Sequence, residues 1–364
     1  MGVHFVVPVG WGHLNVLGLE DEVIATDGGS LQENLRGYVS SSAMSNWVRI
    51  AKEVNFESKR KYWLISHLDY DHISVVGSYI ESKSIDFDYC YLSGVLSANV
   101  CAEAVVGMHA LMDLLVTYEG IPYLRKSNLI ATILRRCKNK EGLLRGQRKS
   151  FDNIEYLIIW PNYAICIKYC KRIRDMVLKF VEKYCRKRAG NMAGECIDTF
   201  KRLYQEINAK IADVKGVLGH IQNSEFLNHE ITGNAEVNEF KEIHHSVNYG
   251  PLSKSIISAL QKRLDSRYAY EYERMYREYL DIISLAYVAI TKNRPLSIEI
   301  DRYTKYGYVY PDLNSSFIVY NYVNGYTILQ CSEYAYLVYL ADLKGKALDS
   351  AIEYLYNKVN NSFR

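Results

Sequence analysis

The hexapeptide His67-Leu68-Asp69-Tyr70-Asp71-His72 sets two imidazoles and two carboxylates within six positions. It follows a short apolar run, Tyr62-Trp63-Leu64-Ile65, closed by Ser66. Imidazole with carboxylate suits zinc, and a larger share of carboxylate moves the preference toward manganese or iron. On an extended segment His67 and Asp69 point the same way, and a turn lets Asp71 and His72 approach from another direction. A second ion nearby would complete a two-metal arrangement, which generates hydroxide and clamps a phosphoryl oxygen. The bland alternative makes Ser66 or Asp71 the N-cap of a helix opening at Ile73, with both histidines polar loop residues. So many ionisable groups rarely gather beside a buried strand without a partner, which favours the metal.

Strands must position this loop. The apolar run before it reads as a strand buried on both faces. Upstream, Val3 to Val9, Leu14 to Leu19 and Val23 to Thr26 are β-rich runs at hairpin spacing, ending in the turn Asp27-Gly28-Gly29. Ser93 to Tyr118 reads as a helix, with His109 inside it as a buried or capping histidine, and Asn153 to Pro161 as a strand stopped by proline. From Cys166 to Ile290 the apolar period is helical. Strand signals return at 307–310, 316–320 and 326–330, the last two joined by the hairpin dipeptide Asn324-Gly325.

The segment LISHLDYDHISVVGSY resembles the signature of the metallo-β-lactamase fold, in which a buried strand ends in a His-x-His-x-Asp-His loop. The stretch VGWGHLNVLGLEDEVIATDGGS is similar to that fold's opening hairpin and Asp-Gly-Gly turn. The likeness is closest to the branch of competence-type DNA-uptake proteins, which write the loop as His-x-Asp-x-Asp-His. It implies an α/β (α+β) chain: an αββα sandwich from 1–165 and 305–364, interrupted by a mainly helical insertion over 166–304. It further implies that His67 and Asp69 serve one metal and Asp71 and His72 the second. Asp71 would also hold the nucleophilic water, and Asp27 would be a structural turn near the site.

Two family positions are altered. The Gly-Asp expected after the last hairpin is Cys331-Ser332, with Glu333 next, and no histidine follows His245. Glu333 is the preferred replacement for the bridging acid, and His244 or His245 could fold back as the late ligand. A competing repair reads Ile231 to Ala235 as the displaced acid turn, with Asn234 in place of Asp.

Composition narrows the rest. The 364 residues are 49% apolar and 23% charged, which excludes a disordered or collagen-like chain and favours two domains or one with a large insertion. The net charge of +3 is too small to define a nucleic-acid binder. Tyr is abundant, 32 against 10 Phe, and could serve core, interface or base stacking alike. Eight cysteines, with no CxxC pair among them, read as buried thiols. No signal peptide or bilayer-length apolar run interrupts the reading, so a cytoplasmic, non-membrane protein is expected.

Local charge is uneven. Nine Lys/Arg against one acid lie between Leu124 and Lys149, including Arg135 and Arg136. Nine against two lie between Cys166 and Arg188, including Lys171, Arg172 and Arg174. Such a stripe could neutralise a polyanion, so a nucleic acid or nucleotide is the expected substrate; a solvated helix face is the competing use. Two functions follow. One is a metal-dependent phosphodiesterase or nuclease using zinc, manganese or iron. The other is a non-catalytic binding or assembly protein with a degenerate site, whose helical insertion meets a protein partner or a second copy.

Overall fold

The computed structural model describes residues 3–7, 14–30, 41–66, 70–121, 133–152, 154–218, 251–292, 297–300, 318–321, 326–331, 334–339, 347, 350–351 and 353–354. The fold is mixed α/β and built on two sheets. The first runs β10-β1-β2-β3-β4-β5-β6, with β1 Val3–Val6, β2 Leu14–Gly18, β3 Glu22–Asp27, β4 Arg60–Leu64, β5 Phe87–Ser93, β6 Cys137–Leu143 and β10 Ser297–Ile300. The second runs β11-β12-β13-β9-β8-β7, with β7 Arg148–Phe151, β8 Ile154–Trp160, β9 Ala286–Lys292, β11 Ile318–Asn321, β12 Tyr326–Cys331 and β13 Tyr334–Tyr339.

Alternation explains how the sheets meet. In β4, Tyr62 and Leu64 join an inner layer with Leu17, Ile24 and Tyr91 from the first sheet and Tyr156, Ile158 and Tyr287 from the second. Trp63 and Ile65 point the other way, into the cluster that holds Trp47 and Ile80. A strand covered on both faces has no solvent side to mark with polar residues, so its sequence is a continuous apolar run. The hydroxyls of Thr26 and Tyr287 meet at 2.6 Å between the sheets. On the outer face of the first sheet lie α1 (Ser41–Glu53) and α2 (Tyr70–Lys83), where Trp47, Phe56 and Tyr79 pack edge to face.

The remaining described helices are α3 (Asn99–Tyr118), α4 (Tyr163–Ala189), α5 (Ala193–Leu218), α6 (Pro251–Arg263) and α7 (Ser266–Ile283). Helix α3 is long and apolar enough to cross a membrane by composition, but it is buried here against α4 and α5. Within it His109 is buried and shares a 2.8 Å hydrogen bond with the Tyr279 hydroxyl. The buried Glu119 carboxylate accepts from Tyr184 Oη at 2.5 Å and Arg188 Nε at 3.3 Å and lies 3.4 Å from Arg263, fastening α3, α4 and α6 together.

Three expectations change. The helical period read as far as Ile290 ends at Ile283, because Ala286–Lys292 is a central strand of the second sheet; beyond it Ser297–Ile300 pairs with β1. The expected helix over 93–118 starts later: Ser93 still belongs to β5, and Gly94–Ser97 is a 3₁₀ turn. The cysteines are not all thiols, since Cys90–Cys137, Cys101–Cys170 and Cys185–Cys196 are disulfides, and Cys166 stays buried outside them. Folding brings together partners 47, 69 and 11 positions apart, a pairing that spacing does not encode. Among the described residues near the chain end, Ser350 Oγ accepts from Arg145 at 2.8 Å, the Tyr354 ring lies under the Arg145 guanidinium, and Ala347 and Ala351 are buried.

Each disulfide of this kind contributes about 2–4 kcal/mol. Reduction should therefore lower the melting temperature markedly. Alkylation in denaturant without reductant should leave at least six of the eight cysteines protected, read by intact mass. Eight modified cysteines would show that the bridges do not form.

Candidate metal centre

Parallel pairing of β3 and β4 places Thr26 opposite Leu64, so both strands end at the same edge of the sheet. Asp27 is the last residue of β3 and adopts φ 54°, a left-handed conformation that Asp tolerates better than most residues. The turn aims its carboxylate at the end of β4. Asp27 Oδ1 accepts from the Ser66 backbone N–H at 2.7 Å, and Oδ2 accepts from the Ser66 hydroxyl at 2.8 Å. Oδ2 also lies 2.8 Å from His72 Nδ1, with both side chains 0% exposed. The backbone of Asp27 is held as well, since Trp63 Nε1 donates to its carbonyl at 2.9 Å.

A carboxylate on Nδ1 assigns the ring proton there and leaves Nε2 as the basic nitrogen. That is the arrangement in which protein carboxylates orient metal-binding histidines, fixing the tautomer and raising the basicity of the ligand. Asp27 is therefore more than a turn beside the site: it positions His72. Sequence spacing places these residues 45 positions apart and shows no link between them.

Gly28 makes the approach of α2 to this turn feasible. At φ 151° it lies where side chains are disfavoured, and a Cβ there would sit 2.2 Å from Val76 Cγ2. Its carbonyl accepts from Val76 N at 2.8 Å. Next to it Ser74 Oγ accepts from Ser30 N at 2.9 Å and donates to Ser30 O at 2.8 Å. These bonds clip the Asp-Gly-Gly turn onto the helix that carries His72. Gly28→Ala should push α2 outward, destabilise the fold by about 1–3 kcal/mol through overpacking and weaken metal binding. Urea unfolding and a metal titration check both, and unchanged stability would contradict this packing.

Among the described residues no group of three or more His, Cys, Asp or Glu side chains could hold a metal ion. His67 and Asp69 lie outside the described residues, as does the Asp71 side chain, although Asp71 belongs to α2. Glu333, His244, His245 and Asn234 also lie outside them. His72 is the one member of the expected donor set whose side chain is described, and the Asp27 carboxylate holds its Nδ1.

The basic residues singled out by sequence are largely engaged. Arg136 meets Asp86 at 3.3 Å and Ser84 Oγ at 3.4 Å, and Arg135 is exposed beside it. Arg172 meets Glu278 at 2.6 Å and lies over the Tyr169 ring. Arg174 meets Glu103 at 3.4 Å and Asp175 at 3.2 Å. Lys171 is exposed.

No protein-family model matches the chain, and no characterised protein matches it at a significant level.

Proposed function

We propose that the chain is a metal-dependent hydrolase of the metallo-β-lactamase fold, acting on phosphodiesters. The observation that carries this reading is the buried Asp27–His72 pair at the shared end of two parallel strands. Face-to-face sheets, α1 and α2 on one outer side and the returning chain end support the αββα assignment.

In this reading His67, Asp69, Asp71 and His72 hold one or two ions, zinc first and manganese or iron next, with Glu333 and His244 as candidates to complete the set. Such an ion, when bound, supplies Lewis acidity and lowers the pKa of water. The chain supplies the rest. Asp27 holds the imidazole of His72 in one tautomer, Ser66 locks the carboxylate of Asp27, and the apolar layer around Trp63 and Ile65 keeps bulk water from the back of the site. Asp71 accepts the proton of the attacking water.

The test is hydrolysis of bis(4-nitrophenyl) phosphate by the purified chain, before and after chelation and re-addition of zinc or manganese. Metal-dependent release of nitrophenolate supports the reading, and none with any added ion contradicts it. Cys331-Ser332 in place of Gly-Asp favours the second reading, a binding or assembly protein with an incomplete site. The three disulfides move the expected location from a reducing cytosol to an oxidising compartment or a heat-adapted cell's disulfide-rich interior.

A further inference from the structure

The outward face of α7 carries Arg267, Tyr270, Arg274 and Arg277, spaced three, four and three residues apart and so aligned in one row. Tyr270 is 66% exposed, the most exposed large apolar side chain among the described residues. Arg274 and Arg277 are 52% and 44% exposed, and Arg267 is exposed too. A tyrosine ring standing in water between arginines costs apolar exposure and contributes nothing to this core. The opposite face of α7, with Tyr272, Tyr276 and Tyr279, is buried.

The acids of α7 do not cancel the row. Glu271 meets Lys183 at 3.0 Å and Glu278 meets Arg172 at 2.6 Å, so both are turned toward α4 and hold the two helices together. Arg274 lies 3.8 Å from Glu278 and Arg277 lies 3.7 Å from Glu273, exposed contacts of the kind that contribute little. Across α4 and α7 there are twelve Lys/Arg against six Asp/Glu, and Lys168, Lys171 and Lys179 extend the exposed basic surface onto α4.

The row also has a direction. Ser93 Oγ donates to Ile282 O at 2.9 Å, which ties the end of α7 to the end of β5. Ser93 lies two residues beyond Tyr91, the partner of Leu64 in β4, so α7 arrives at the edge where the candidate centre stands. At 1.5 Å per residue, Arg277 to Arg267 lie about 8 to 22 Å back along the helix from Ile282.

We propose that this face of α7, flanked by α4, is a track for a single-stranded polynucleotide. The arginines take the phosphates, and Tyr270 stacks an unpaired base between them, the combination by which proteins hold single strands without reading sequence. A duplex offers no free base face to Tyr270. The track rests on the phosphodiesterase reading for its purpose, though its residues are separate from the metal loop.

Fluorescence anisotropy of the full chain with labelled 20-nucleotide oligothymidylate, oligouridylate and a matched duplex tests it. Tyr270→Ala should weaken single-strand binding about 5- to 150-fold, and Tyr270→Trp should retain it. The triple variant R267A/R274A/R277A should lower the log–log salt slope by about 2, at about 0.7 for each single-strand phosphate contact. Circular dichroism and metal content should match the parent chain in both, and the tighter oligonucleotide arm identifies DNA or RNA as the strand. Wild-type affinity and slope in these variants, or duplex binding as tight as single-strand binding, overturns the track. Track-dependent binding by a chain that takes up no metal would sink the hydrolase reading and leave the track standing.

Discussion

Asp27→Asn should bind zinc about 10- to 100-fold more weakly than the parent chain, the usual cost of losing a carboxylate behind a metal-binding histidine. The substitution keeps shape and removes charge. Three donors converge on the Asp27 carboxylate: the Ser66 N–H, the Ser66 hydroxyl and the His72 ring. An amide has one acceptor oxygen, and its NH2 would face donors. Each buried group left without an acceptor costs about 1–3 kcal/mol, so the variant should also unfold at lower urea. A competitive zinc titration and urea unfolding read the two effects separately. Loss of stability with unchanged zinc affinity would make the pair a structural clasp and remove the main support for a metal centre.

His72→Ala should have the second large effect. Replacing the ring empties a fully buried position and takes the His72 partner from the Asp27 carboxylate. An uncompensated buried charge costs about 3–5 kcal/mol, so the fold should weaken more than in Asp27→Asn. Asp71→Ala separates function from folding. In the proposed mechanism it removes the proton acceptor and a donor to the ion, so turnover and metal should both fall while oligonucleotide binding persists. If Asp71→Ala keeps its full metal content and activity, the assigned role is wrong.

Local pattern made part of this legible. The strand before His67 is legible as an apolar run, and it is apolar because both its faces are covered. The helices from Cys166 onward carry the expected period. Contacts between distant residues were not legible. Asp27 and His72 meet only because β3 and β4 run parallel, and the disulfides form only once β5 joins β6 and α4 lies against α3 and α5.

Elsewhere one signal hid another. Helix α7 ends and β9 begins with only Ser284 and Leu285 between, and no Gly or Pro marks the change. The apolar run from Tyr279 to Ile290 therefore reads as one helix, since short apolar runs do not separate strand from helix. The row of arginines on α7 is masked by its own acids in any charge count. Structure separates them, because Glu271 and Glu278 turn to α4.

The central claim is a metal centre at the end of β4, and elemental analysis of the purified chain by mass spectrometry tests it most directly. After dialysis against zinc and removal of excess, the parent chain should retain about one to two ions per molecule, as expected for this donor set, and Asp27→Asn should retain fewer. Zinc, manganese and iron all absent from a folded, disulfide-intact chain would contradict the account.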